Sequence, residues 1–236
     1  MTRTPRLAVF IPAYNEANSI GRLIAELRSL HPDAMVFVID DASRDATGEA
    51  SRTAGARVVR HPFNLGYGAG LQTGYKRALA AGADLIVQMD ADGQHLPSEV
   101  ATIVEPVASG AVDLCLGSRF LAATGYVMSP IRKLGREVFK AIARPMGLHI
   151  SDPTTGFQAM TREVARFYAG DWYPTDYPDI DVLIMARRRG FRIAERSVKM
   201  TAGYRESLLH SGWKPFYYVY RMMLSLWAAS ATQRPR

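Results

Sequence analysis

Apolar runs and helical stripes alternate along the first half of the chain. "LAVFI" (7–11) reads as a buried strand, and Ile20, Leu23, Ile24 and Leu27 then recur at helical spacing. "MVFVID" (35–40) predicts a second strand, followed by a helix beginning near Ser43 or Asp45. "ARVV" (56–59) and "LIVQM" (85–89) add two more strands, with Leu71, Tyr75, Ala78 and Leu79 on a helix between them. Ser98 is placed to cap a helix running to about Val107, and "DLCLG" (113–117) predicts a further strand. Near-continuous apolar strands separated by helices fit a mostly parallel sheet covered on both faces, an α/β sandwich of three layers. After Arg119 the alternation breaks. Residues 130–144 predict an amphipathic helix with Arg132, Arg136, Lys140 and Arg144 four apart, beside a separate stripe of Ile131, Leu134, Val138 and Ile142. "PFYYVYRMMLSLWAASA" (215–231) is rich in aromatics and methionine.

Composition narrows the class. A chain of 236 residues, 48% hydrophobic and 22% charged, is ordinary for a globular protein with a sizeable core. Its single cysteine, Cys115, has no partner for an intramolecular disulfide, which favours a reducing compartment. "LAVFI" before Pro12 is too short for a signal-peptide core, and no stretch reaches the roughly 18 apolar residues of a membrane span. The formal charge of +7 points to an anionic partner. Nucleic acid is excluded as the favoured one, since no helix-turn-helix, zinc or aromatic RNA-binding pattern accompanies the charge.

Candidate chemistry gathers where strands end. "PAYNE" (12–16), "DDAS" (40–43), "NLGYGAG" (64–70) and "DADGQ" (90–94) each follow a strand, so a parallel sheet carries all four to one rim, where open α/β sheets bind ligands. Asp90 and Asp92, one residue apart, repel each other unless water or a cation separates them. An Asp-rich turn is the simpler account of that pair, with Asp-Gly at 92–93 as turn chemistry. The glycines at 66, 68, 70 and 74 fit neither the dinucleotide fingerprint nor the phosphate loop, which speaks against hydride transfer and ATP hydrolysis.

Taken in order, "IPAYNE", "DDAS", "NLGYGAG", "MDADGQH", "GSRF" and "DPTTGF" resemble the family-two glycosyltransferases with the GT-A fold. Within that family the sequence is most similar to the polyprenyl-phosphate (dolichol-phosphate) sugar transferases. The resemblance covers about residues 6–200. It implies a GT-A domain over residues 1–205 and a C-terminal amphipathic, membrane-surface segment over 206–236. It further implies inverting transfer of a sugar from a UDP- or GDP-linked donor, with Mg²⁺ or Mn²⁺ as cofactor, to a polyprenyl phosphate or other lipid-linked acceptor. The protein would sit on the cytoplasmic side, peripherally on the membrane.

Carried over by position, Asp92 is the principal metal ligand, Gln94 a neighbouring oxygen, and Asp90 a contact to metal or ribose. Pro12, Tyr14, Glu16 and Asp41 correspond to base and ribose contacts, and Asn64 and Gly66 to the nucleotide-side loop. Arg119 corresponds to a contact to diphosphate or sugar, with a surface arginine as the plainer alternative. Asp179, at the start of "PDIDVLIMARRRG" (178–190), matches the carboxylate that deprotonates a hydroxyl acceptor in many members, although it can equally complement a helix N-terminus. His95 reads as a loop residue supporting the site.

Arg132, Arg136, Lys140 and Arg205 are the candidate grip on an acceptor phosphate. The chain departs from the polyprenyl-phosphate pattern at Gly93, at Leu96 and in "RESLLHSGWK" (205–214), which leaves a hydroxyl acceptor open. Two other classes stay in view. A nucleotidyltransferase would more often carry a basic glycine-rich loop where "PAYNEANS" stands, and a non-catalytic nucleotide-sugar-binding subunit would have no need of Asp92.

Overall fold

A computed structural model describes residues 4–121, 137, 141, 144–175 and 178–201. Seven strands form one sheet: β1 (Leu7–Ala13), β2 (Met35–Asp40), β3 (Arg57–Arg60), β4 (Leu85–Gln88), β5 (Leu114–Ser118), β6 (Gln158–Thr161) and β7 (Ile193–Ser197). Their spatial order is β3-β2-β1-β4-β6-β5-β7. The helices are α1 (Ile20–Leu30), α2 (Thr47–Thr53), α3 (Tyr67–Ala80), α4 (Val100–Ala108), α5 (Arg162–Tyr168) and α6 (Ile180–Arg188).

Side chains alternate across each strand, so the apolar runs feed two cores. Phe10, Phe37, Ile39 and Ile86 face α3, α5 and α6, with Leu71, Tyr75, Val164, Tyr168 and Leu183 packed over them. Val9, Ile11, Val36, Val38 and Val87 face the other way, against Ile20, Ile24 and Leu27 of α1 and Val100 and Ile103 of α4. The three-layer α/β architecture is therefore present. Cys115 lies fully inside the second core, where burial pushes its thiol up to about 12.

Two strands had no clear signature. β6 runs antiparallel to both of its neighbours, β4 and β5, while β7 pairs parallel with β5 along one edge. β1, β2, β3 and β4 are mutually parallel, and two antiparallel steps bring β5 and β7 back into the same direction. Their C-terminal ends, and the entry to β6, consequently share one rim.

Local starts differ from expectation in two places. α2 begins at Thr47 because Asp45 Oδ1 accepts from the Thr47 backbone and hydroxyl, a turn that delays the helix. Ser98 lies inside a 3-10 turn, Pro97–Glu99, and makes no cap; α4 follows at Val100. The expected helix over 130–144 and the segment 206–236 fall outside the described residues, apart from positions 137, 141 and 144. Among the described residues no helix is long and apolar enough to cross a membrane.

Candidate functional site

The rim is built around Asp90. It is separated from the end of β4 by Met89, and its backbone N–H donates to His95 Nδ1 at 2.9 Å. A backbone N–H can only donate, so Nδ1 is the unprotonated ring nitrogen, and the neutral ring carries its proton on Nε2. His95 is buried and stacked on Phe157, with centroids 4.9 Å apart. Burial holds its pKa down at about 4. A neutral ring locked this way supports the loop, in keeping with the expectation for His95. The loop is also pinned from the far end of the chain: Thr201 donates from its hydroxyl to Gly93 O and from its backbone to Gln94 O.

Both carboxylates of the pair are strained electrostatically. Burial pushes Asp90 above the usual carboxylate range, opposed by a hydrogen bond from the Tyr67 hydroxyl (2.7 Å to Oδ1) and by the charge of Arg119. Burial also raises Asp92, and the negative charge of Asp90 raises it further. Gln94 acts on Asp92 through donors: its backbone N–H reaches Oδ1 at 2.9 Å and its side-chain amide reaches Oδ2 at 2.7 Å. Gln94 thus holds Asp92 through its nitrogens, which leaves its Oε1 as the expected neighbouring oxygen beside the two carboxylates.

That set fits a divalent cation of the Mg²⁺ type. Such ions are commonly bound by one or two carboxylates, with substrate phosphates and water completing the shell. No cluster of three or more His, Cys, Asp or Glu able to hold a metal occurs among the described residues. The mutual repulsion of Asp90 and Asp92 is relieved by a cation placed between them.

Gly156, in the loop leading into β6, makes room for Asp90. A Cβ at this position would lie 2.4 Å from Asp90 Oδ2. Gly156→Ala is therefore expected to push the Asp90 carboxylate aside and lower turnover on the order of a hundredfold, as small misplacements at a reacting centre do. A thermal melt close to wild type alongside an assay within threefold of it would refute this role.

Arg119 is no surface arginine. Its side chain is only 15% exposed and forks onto the fully buried Asp152, Nε to Oδ2 at 2.8 Å and Nη2 to Oδ1 at 3.1 Å. Glu195 on β7 in turn accepts the backbone N–H groups of Ser151 (2.6 Å) and Asp152 (2.9 Å). Burial raises Glu195 above its ordinary value, against those two hydrogen bonds. Arg119 lies close enough to oppose the rise at Asp90, so the sheet's edge strand is linked through Asp152 to the acidic pair.

Past the end of β2, Asp41 is buried and engaged with the glycine-rich loop. Oδ1 accepts from Leu65 N and Oδ2 from Gly66 N, at 2.8 and 2.9 Å. His61 Nδ1 lies 2.7 Å from Oδ1, its other nitrogen 3.0 Å from Thr73 Oγ1, and Asn64 donates to Asp41 O. Asp41 and Asn64 thus shape the loop before α3, with Gly66 at that helix's N-cap. Ala42, at φ +59°, turns the chain between Asp40 and Ser43. Pro12 lies in β1 past its last pair with β4, Tyr14 just beyond the strand is 39% exposed, and Glu16 accepts from the Ser19 hydroxyl.

Asp179 also belongs to this neighbourhood. It occupies the N-cap position of α6 without a side-chain capping bond, and Asp181 Oδ1 instead accepts the Asp179 and Val182 N–H groups. Burial, and then the charge of Asp90, raises the Tyr67 hydroxyl well above its usual value; the Asp179 carboxylate adds to that effect. Asp179 thus stands at the N-terminus of α6, where its charge complements the helix without a side-chain capping bond, and both accounts of it stay open. Arg132, Arg136, Lys140 and Arg205 lie outside the described residues. Sequence reasoning passed over Asp152, Glu195, Gly156, His61, Tyr67 and Gln88. Asp152 and Gly156 lie in "DPTTGF" and Tyr67 in "NLGYGAG", motifs that carry the resemblance without a role for these residues, and Gln88 is a polar residue inside an apolar strand.

Comparison with known proteins agrees with this architecture. The profile described as "Glycosyl transferase family 2" matches residues 8–169. An uncharacterized protein of Methanocaldococcus jannaschii is 32% identical over 194 residues, 81% of this chain and 79% of its own. The undecaprenyl-phosphate mannosyltransferase of Micrococcus luteus is 33% identical over 168 residues, 68% of each chain. Among solved structures, glucosyl-3-phosphoglycerate synthase from Mycobacterium tuberculosis, in complex with Mn²⁺ and UDP-glucose, superimposes with a TM-score of 0.73. It is 22% identical, covering 94% of this chain and 79% of that one, a likeness of fold.

Proposed function

The chain belongs to glycosyl transferase family 2, and from that membership we propose an inverting, metal-dependent transfer of a sugar from a nucleotide sugar to a polyprenyl phosphate at a membrane face. The observation that carries the reading is the Asp90–Asp92 pair, two half-buried, mutually repelling carboxylates on the rim where the sheet's strands end. These two residues hold Mg²⁺ or Mn²⁺; when bound, the cation offsets negative charge on the departing diphosphate. The Mn²⁺ and UDP-glucose held by the structural neighbour support this donor class, and the name of the undecaprenyl-phosphate relative supports the acceptor.

The residues divide the work as follows. Asp41, Asn64 and Gly66 set the loop on the nucleotide side, with Pro12, Tyr14 and Glu16 bordering base and ribose. Arg119, fixed by Asp152, presents positive charge toward the diphosphate and sugar. An acceptor oxygen attacks the anomeric carbon from the face opposite the leaving group, forming a new C–O bond. The bond to the diphosphate breaks, and its electron pair leaves with the nucleotide. Arg132, Arg136, Lys140 and Arg205 grip the acceptor phosphate. The 130–144 stretch and the C-terminal segment rest on the membrane surface, where cationic and aromatic side chains are favoured.

A phosphate monoester is already largely dianionic at neutral pH, with its second pKa near 6, and needs no base. A hydroxyl acceptor must lose a proton, and a positioned carboxylate contributes about 10²–10⁴-fold to that step. The nearness of Asp179 to Tyr67 keeps a hydroxyl acceptor, with Asp179 as base, as the second reading. The test is incubation with labelled nucleotide sugars, Mn²⁺ and a polyprenyl phosphate, followed by extraction of label into the organic phase. Asp179→Asn is expected to stay within about tenfold of wild type in this assay. A loss on the order of a thousandfold, with donor binding unchanged, assigns a hydroxyl acceptor instead.

A further inference from the structure

A chain of side-chain hydrogen bonds runs from the first core to Asp90. Tyr173 Oη lies 3.3 Å from Tyr75 Oη, and Tyr75 Oη lies 2.6 Å from Gln88 Oε1. Gln88 Nε2 lies 3.4 Å from Tyr67 Oη, which reaches Asp90 Oδ1 at 2.7 Å. Tyr75, Tyr173 and Gln88 are buried, at 0%, 5% and 2% exposure. Burying an amide and two hydroxyls is unfavourable unless each is bonded, and phenylalanine would fill the same ring positions.

The direction of every bond follows from one fact. An ionised carboxylate only accepts, so Tyr67 spends its single proton on Asp90. The Gln88 atom facing Tyr67 must then be the donating nitrogen, which turns its carbonyl toward Tyr75. Tyr75 donates to that carbonyl and can take a proton only from Tyr173. Each donor therefore points toward Asp90, and bonds aligned in this way polarise one another.

We infer that Tyr67, Gln88, Tyr75 and Tyr173 are positioning residues: a one-directional hydrogen-bond relay that runs from the core to the rim and fixes the Asp90 carboxylate for cation binding. The relay also joins two parts of the rim. Tyr173 precedes Pro174 and Thr175, whose backbone lies against the start of α3, where a Cβ on Gly68 would meet Pro174 O at 2.2 Å. The segment leading toward Asp179 and the residue that bonds Asp90 are thus packed as one unit.

This inference rests on the proposed role of Asp90 as a cation ligand, and the two are separable in one titration. Mn²⁺ alone is added to the full chain, and unbound Mn²⁺ is read from its paramagnetic resonance signal. Asp90→Asn is expected to abolish binding. Tyr67→Phe keeps its ring and is expected to weaken binding at least about tenfold, the usual effect of losing a partner that orients a ligand. Tyr75→Phe touches neither Asp90 nor the cation and is expected to weaken binding about threefold through the relay. The double variant should bind within about twofold of Tyr67→Phe alone, because the relay no longer reaches Asp90.

Mn²⁺ affinity of Tyr67→Phe within twofold of wild type, with Asp90→Asn inactive in binding, overturns the relay and leaves the cation reading intact. Independent, multiplying losses in the double variant also overturn it, since hydroxyls that merely support the fold would behave so. Retained binding in Asp90→Asn takes Asp90 out of the cation site and overturns the relay, whereas retained binding in Asp92→Ala as well removes the cation reading itself. Tyr67 is 41% exposed, so its variant decides the matter even if Tyr75→Phe destabilises the core.

Discussion

Replacing Asp92 by alanine is expected to lower sugar transfer on the order of a thousandfold while leaving the fold as stable as wild type or slightly more so. The two effects share one cause. Burial and the charge of Asp90 both disfavour the ionised Asp92 carboxylate, so the folded chain carries a repulsion that alanine removes. On the proposed function both carboxylates are needed, because together they would hold a divalent cation against the diphosphate. Sites of this kind commonly exchange stability for activity. Transfer assays with and without excess chelator, paired with thermal melts, check the prediction. Full activity in Asp92→Ala, or in wild type with chelator present, would remove the metal assignment.

Asp152→Ala is expected to be the most destabilising change at the rim. It leaves the guanidinium of Arg119, 15% exposed, without the carboxylate that now takes two of its hydrogen bonds. Breaking a buried pair from one side costs about 3–5 kcal/mol, a large part of the roughly 5–15 kcal/mol that stabilises a domain. For a chain of this size that corresponds to a melting temperature lower by about 10 °C. Replacing both partners by apolar residues, Arg119→Met with Asp152→Leu, should recover most of the stability, because no charge is then left buried alone. It should not recover transfer, since the positive charge facing Asp90 has gone. Urea denaturation of the single and double variants separates these outcomes. A loss below about 1 kcal/mol for Asp152→Ala would show that the fork contributes little to the fold.

How much of this was legible in advance depends on distance along the chain. The parallel strands from Leu7, Met35 and Leu85 announce themselves because each is an apolar run bounded by turn residues, and the shorter strand from Arg57 shows through its valine pair, Val58 and Val59. The site motifs were legible for a related reason: strand ends in a parallel sheet must share a rim. β6 and β7 escaped. "QAMT" is four residues long, and "IAERS" is a partly exposed edge strand, so neither carries a hydrophobic period.

By itself, the sequence determined the α/β class, the strands that converge on the rim, the acidic pair and the family resemblance, all properties of short contiguous stretches. Only the tertiary structure decided that β6 inserts antiparallel between β4 and β5, which carries Asp152 and Gly156 to the rim. It alone decided that Glu195 holds the backbone under Asp152, and that Tyr173 reaches Asp90 through Tyr75, Gln88 and Tyr67. These contacts join residues up to 98 positions apart. The physical reason is that a side chain's hydrogen-bond capacity is written in its residue type, whereas its partner is fixed only when packing brings two distant segments within about 3 Å of each other.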